Sequence, residues 1–234
     1  MSIEEPIVKT IVCLANSSRN SYKDDGRCIA GKAINEESVN WIRPVGASSD
    51  EEVSKKERQY EGGGFPQLLD IIDVPLLEKK PKFHQKENWL LYPNSCWKKK
   101  GRMRQRDLEQ LIYHDPLWID EHNVSNKRND RIAFSLAKDL SDSLRLIRVD
   151  ELTFSVFPSS FGRRVHGKFL YCGNKHELVV TDHERKQIYE MKPDGDYKIG
   201  DSFLTVSLAG YFKNTDACHL LIAGIISCGE TSGT

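Results

Sequence analysis

Residues suited to chemistry concentrate in Gly26-Arg27-Cys28-Ile29-Ala30-Gly31-Lys32-Ala33-Ile34 and, after a polar turn, Asn40-Trp41-Ile42-Arg43-Pro44-Val45. Gly26 and Gly31-Lys32 stand at the spacing of a phosphate-binding loop, G-x-x-x-x-G-K. Chemistry argues against that loop. Ala33 occupies the place of the hydroxyl that would hold magnesium, and Arg-Cys-Ile-Ala is not a glycine-rich nest of amides. The residues after Lys32 also lack helical periodicity. The stretch reads instead as two short strands joined by a turn, with Arg27, Lys32, Trp41 and Arg43 displayed beside one another. Aromatics that stack bases beside cations that follow phosphates suit single-strand binding, with stacking worth roughly 1–3 kcal/mol per base. A structural reading stands beside this one: Trp41 in the core, and Arg43 paired with a buried carboxylate such as Asp70 or Asp73.

A second constellation is Trp97-Lys98-Lys99-Lys100-Gly101-Arg102-Met103-Arg104-Gln105-Arg106, six cations with no anion before Asp107. Such a run binds phosphates with steep salt dependence, or forms a solvated basic face opening a helix. Arg163-Arg164-Val165-His166-Gly167-Lys168 is a smaller companion. In Phe83-His84-Gln85-Lys86-Glu87-Asn88-Trp89, His84 and Asn88 could read a base edge or ribose, or be buried structural side chains.

Enzyme readings rest on less. Asp70 followed by Glu78-Lys79-Lys80 mimics the carboxylate and lysine set of metal-dependent nucleases, but the two acids are too close in sequence for a hairpin to pair them. Neither a G-x-S-x-G elbow nor an H-E-x-x-H helix occurs. The histidines are scattered, and His176, Asp182 and His183 do not make a metal-site pattern. No catalytic residue, metal site or cofactor is expected.

The elements that must position these residues are mainly strands. Ile7 to Ala15, Gly31 to Ile34, Trp41 to Val45 and Leu68 to Leu77 read as strands, and Pro75 argues for an edge position for the last. Ser49 with Glu52 makes a capping-box signature before a short helix reaching toward Tyr60. Leu108, Leu111 and Ile112, then Ile132, Leu136 and Leu140, recur at helical spacing, with Asp130 a plausible N-cap. Strands return at Leu144–Val149, Leu152–Phe157, Lys168–Tyr171, Glu177–Val180, Ser202–Leu208 and Leu220–Ile226. The expected fold is mostly β with a helical insert. Residues 1–96 form a first β domain, 97–142 a basic helical connector and 143–234 a second β domain. No internal repeat is legible.

A chain of 234 residues can bury a core without staples. Lys plus Arg and Asp plus Glu balance at 34 each, so nucleic-acid binding must come from local patches. Six dispersed cysteines without a C-x-x-C pair signal neither a zinc knuckle nor a disulfide framework. No apolar stretch is long enough to span a bilayer, and the N-terminus lacks a signal-peptide pattern, so a cytoplasmic protein with no membrane partner is expected.

The chain resembles the prokaryotic dual OB-containing domain family. The resemblance is carried in order by Gly26-Arg27-Cys28-Ile29-Ala30-Gly31-Lys32, Trp41-Ile42-Arg43-Pro44-Val45, Glu87-Asn88-Trp89, Asn129-Asp130-Arg131-Ile132, Leu178-Val179-Val180-Thr181-Asp182 and Leu220 to Ile226. It implies two tandem OB-like small barrels, here joined by the helical connector. It also implies a binding module for nucleic acid or a nucleotide-derived ligand, a sensor in bacterial defence systems with an effector protein as a further partner. The match adds weight to Glu87 and Asn88, and Arg131, which lies in a matched stretch, is a further candidate contact. The Lys98-Lys99-Lys100 run lies outside the resemblance. A metal-dependent nuclease or nucleotide-processing enzyme and a protein-interaction scaffold whose β edges bind partners remain the alternatives.

Overall fold

Strict alternation along Asp70–Lys79 buries Asp70, Ile72, Val74 and Leu76 while their neighbours are partly exposed, as a strand with one core face requires. The computed structural model describes residues 5–18, 26–34, 39–48, 50–119, 129–160 and 162–229. With 57% strand and 9% helix, the fold is mostly β. The chain divides into two compact units, Met1–Leu111 and Ile112–Thr234.

In the first unit β1 (Ile7–Ser17), β2 (Gly26–Ala33) and β3 (Trp41–Val45) form an antiparallel meander, and β4 (Val53–Ser54) pairs with β2. Next come β5 (Asp70–Lys79), β6 (Asn88–Leu91) and β7 (Lys98–Arg102). β6 pairs parallel with β3 and antiparallel with β5, and β5 pairs antiparallel with β1, so five strands close on themselves. This is a five-stranded OB-type barrel. Ile11, Ile29, Ile42, Ile72, Val74 and Leu76 fill its interior. A Cβ on Gly31 would lie 2.2 Å from the Val12 carbonyl oxygen, so the second glycine of the false phosphate loop is there to let β1 and β2 approach.

The second unit begins with β8 (Arg131–Ala133) and α1 (Phe134–Ala137). A second meander follows, β9 (Leu144–Ser159), β10 (Gly162–Tyr171) and β11 (Asn174–Val180), then α2 (His183–Glu190), β12 (Gly195–Phe212) and β13 (Ala217–Ser227). Here too the third strand pairs parallel with the fifth, β11 with β13, while β12 bridges β13 and β9. The two units repeat one connectivity that their sequences do not display. Asp182 caps α2, its side chain accepting from the Arg185 amide at 2.9 Å and the Ile225 amide at 2.9 Å.

Several expectations need correction. The described residues of 97–142 do not form one helical body: Lys98–Arg102 is a strand of the first sheet, Gln105–Leu111 a 3-10 helix of the first unit, and Arg131–Ala133 a strand and Phe134–Ala137 a one-turn helix of the second. Asp130 caps nothing, since the cap of the short α1 is Ala133. Ser49 lies outside the described residues, and no helix runs from Glu52 to Tyr60. The reciprocal capping pattern falls instead on a turn, where Ser54 N–H donates to Glu57 Oε2 at 2.9 Å and Glu57 N–H to Ser54 Oγ at 3.3 Å. Nor is β5 an edge strand. On one side it pairs with β1; on the other, β7 covers Asp70–Asp73 and β6 takes over from Leu76. Pro75 sits at that handover, its carbonyl accepting from the Tyr92 amide, so its missing N–H falls where the neighbouring strand changes. Sequence inspection missed α2, whose apolar positions are too few to show a helical stripe.

Candidate nucleic-acid interface

On β3 the alternation turns Ile42 into the core and leaves Trp41 and Arg43 on the outer face. The register sets Arg43 beside Asn88 of β6. Its Nε donates to Asn88 Oδ1 at 2.6 Å, and its NH2 lies 2.9 Å from Glu87 Oε1. The pair is buried, with side chains 10% and 5% exposed. The carboxylate partner of Arg43 is thus Glu87, not Asp70 or Asp73. His84 and Gln85 are buried in the loop between β5 and β6. Lys32 Nζ donates to the Leu111 carbonyl at 2.8 Å and lies 5.6 Å from the centre of the half-buried Trp41 ring. Arg27 is buried, and its NH1 donates to the Gly26 carbonyl. The structure therefore brings Arg43 and Asn88 together with Glu87, and buries His84 in the loop that precedes β6.

Asp70 is fully buried and saturated. Its Oδ2 accepts from Tyr60 Oη at 2.8 Å and the Gln67 amide at 3.2 Å, while Oδ1 faces Lys99 Nζ at 2.7 Å and Arg102 NH1 at 3.2 Å. Burial and the Asp70 hydrogen bond push the Tyr60 hydroxyl well above its ordinary range, which keeps it protonated as the donor. Glu78 lies eight residues farther along the same strand, about 26 Å away, so the two acids cannot share a metal ion. Among the described residues no group of three or more His, Cys, Asp or Glu is placed to hold a metal.

The basic run forms the antiparallel strand β7, with Lys98, Lys99, Lys100 and Arg102 all exposed. Lys100 sits at the bulge in its pairing with β5 and lies 3.7 Å from Asp73, while Arg104 is held by Asp107 at 2.8 Å. Lysines on such a strand also protect it against pairing with other chains. The cations of β7 lie beside Asp70–Asp73 at one end of β5, while Lys79 and the loop that carries Lys80, Lys82 and Lys86 lie at its other end; β6, which pairs with β5 in between, carries none. Those loop lysines were missed residue by residue. A charge count would have found them: residues 79–106 carry ten cations and a single carboxylate, Glu87.

In the second unit Val165 and Phe169 belong to the core, and a Cβ on Gly167 would meet Ile222 Cδ1 at 2.4 Å, so His166, Lys168 and Leu170 face outward. A groove of about 770 Å³ opens on this face of β9, β10 and β11, lined by Glu151, Thr153, Lys168, Leu170, Lys175 and Glu177 among others. His166 Nδ1 lies 3.0 Å from Glu177 Oε1 and Lys168 Nζ 3.3 Å from Asp196. Arg163 pairs with Asp194 at the start of β10, and Arg164 beside it is exposed. Arg131 lies on β8, 3.3 Å from Asp130. Burial depresses the His176 pKa, leaving the ring neutral where it stacks on Phe169 at 5.2 Å.

Residues 9–225 match the family described as the dual OB-containing domain. The chain belongs to that family. No curated protein matches it. Among solved structures it is similar to the HIN2 domain of tetrameric p202, at 9% identity over 93% of this chain and 88% of that one, with a TM-score of 0.32. It is also similar to the HINa domain of Ifi202 in complex with double-stranded DNA, at 12% identity over 92% and 91% of the two chains, with a TM-score of 0.29. No helix among the described residues is long and apolar enough to cross a membrane.

Proposed function

We propose that this dual OB protein is a non-catalytic module that binds nucleic acid through the first barrel, with the groove of the second barrel receiving a nucleotide unit. One observation carries the reading. On a chain of zero net charge, ten cations and one carboxylate fall between residues 79 and 106, on β7 and the turn after it at one end of β5 and on the loop to β6 at the other. Partial neutralisation by Asp70, Asp73 and Asp107 leaves a surplus of positive charge on this stretch. Counterion release from a polyanion then supplies affinity without sequence preference. The groove volume of about 770 Å³ suits a small molecule, with Lys175, and Lys168 beyond its pairing with Asp196, as cations for a phosphate, and Asp150 and Glu151 as acceptors for sugar hydroxyls or base amines.

Fluorescence anisotropy across salt concentrations tests the basic stretch. Lys98, Lys100, Arg104 and Arg106 are changed to Gln together, sparing Lys99 and Arg102 because they neutralise buried Asp70. For each phosphate that the variant no longer engages, the slope of log K against log salt should fall by about 0.7 for a single strand. An unchanged slope removes this stretch from the interface.

A further inference from the structure

The hairpin between β12 and β13 carries an aromatic pair outside the core. Phe212, the last residue of β12, is 54% exposed, and its ring meets the half-buried His219 of β13 at 5.9 Å and 89°, edge to face. Such a contact takes up at most one flat face of a ring, and the exposure of Phe212 leaves a face of it to solvent. The backbone around the pair is fixed. Thr215 N–H donates to Phe212 O at 3.1 Å, closing a turn, and Thr215 Oγ1 lies 3.4 Å from the same carbonyl and 3.0 Å from His219 Nε2. Across β13, His219 stands opposite Arg131 of β8, and Phe212 opposite Ala217, so Phe212, His219 and Arg131 share one face of three paired strands while Cys218 and Ile132 turn into the core. Burial holds the His219 pKa below its ordinary value, so the imidazole is a neutral flat ring at physiological pH.

The surroundings indicate the ligand. Tyr211, one residue earlier, leans to the opposite face, where it packs on Phe134 at 4.6 Å. The exposed apolar surface at Phe212 is therefore one ring beside an imidazole, next to a turn whose Lys213, Asn214 and Thr215 are polar and exposed. That is far less than the roughly 800 Å² that a stable protein partner covers on each side, and it is comparable with a nucleobase. Arg131, 24% exposed, is the cation of this face, and Asp130 at 3.3 Å meets part of its charge. We propose that Phe212, braced by His219, is a stacking platform for an unpaired base, which gives the second barrel its own contact with single-stranded nucleic acid. This rests on the function proposed above and adds a site that shares no residue with the groove of β9, β10 and β11. A paired base keeps its faces inside the duplex, so a duplex gains nothing from the ring. Stacking on uncharged rings releases no counterions, so the platform adds affinity without adding salt dependence.

The test uses the full chain with Phe212→Ala and Phe212→Trp, a labelled oligothymidine strand of roughly 16 nucleotides, and the same strand annealed to its complement, each titrated across salt concentrations. Phe212→Ala should weaken binding of the single strand about 5- to 150-fold, the range that stacking one base spans, with the slope of log K against log salt unchanged. Its melting temperature should stay within about 4 °C of the parent, as for an exposed side chain. Phe212→Trp should bind within about twofold of the parent, and duplex affinity should be the same for all three proteins. Single-strand affinity untouched by Phe212→Ala overturns the platform and leaves the nucleic-acid reading intact. A loss accompanied by a slope lower by about 0.7 or more marks a lost phosphate contact instead of a stacked base, and overturns it too. So does a Phe212→Ala variant that melts much lower and loses strand and duplex alike, which assigns the ring to packing. If the parent protein binds neither probe, both readings fall.

Discussion

Removing the Arg43 guanidinium is expected to unfold the first barrel long before it reports on a ligand. Arg43→Ala takes from the Glu87 carboxylate, 5% exposed, the guanidinium at 2.9 Å and strips Asn88 Oδ1 of a bond at 2.6 Å. Breaking a buried pair by deleting one member costs about 3–5 kcal/mol, because the remaining charge stays buried and uncompensated. For a unit of this size, each kcal/mol moves the melting temperature by roughly 4–8 °C, so a fall of at least about 12 °C is expected. Circular dichroism melting of the full chain gives the reading, with Arg43→Met/Glu87→Leu as its control. Replacing both charges with apolar groups of similar volume should recover much of the loss, since the desolvated carboxylate is then gone. An Arg43→Ala protein melting within about 3 °C of the parent, or a double variant no better than the single one, would refute the structural assignment.

Other outcomes can be checked independently. Burial raises the Asp182 pKa to about 6, so this group contributes stability that is fully present below its unfolded pKa and is lost as pH rises through 6, up to about 3 kcal/mol in all. Urea titrations at intervals from pH 4 to 7 should show the stability gap between the parent and Asp182→Asn widening toward acid; a constant gap contradicts the assignment. Gly31→Ala should destabilise more than Gly167→Ala, because its new Cβ meets the backbone Val12 carbonyl at 2.2 Å whereas Gly167 faces a side-chain methyl, Ile222 Cδ1, at 2.4 Å. Equal unfolding midpoints for the two variants would show that β1 can shift. The purified protein should not cleave labelled DNA or RNA with magnesium or manganese, since Asp70 is saturated and Glu78 lies far along the strand. Metal-dependent product that vanishes with Glu78→Ala would reverse that reading.

The sequence by itself determined the class of fold, the dual OB resemblance and most strand positions, because β-branched runs separated by turn residues need only local physics to be recognised. It also held the charge asymmetry between residues 79 and 106, which is a matter of counting. Tertiary structure alone decided what each side chain is for. Arg43 pairs with Glu87 because β3 lies parallel beside β6, a register between strands 45 residues apart that no local pattern announces. Lys98 to Arg102 resemble the opening of a helix until β5 supplies a ladder and a buried carboxylate for them. Pro75 suggests an edge, and only the handover from β7 to β6 shows how it sits inside a sheet. Phe83 is, by sequence, one more aromatic in a polar run; its positive φ and exposure belong to the turn that joins β5 to β6. Spacing along a chain records which groups are near in sequence, whereas burial, charge pairing and backbone strain depend on what the other strands bring alongside.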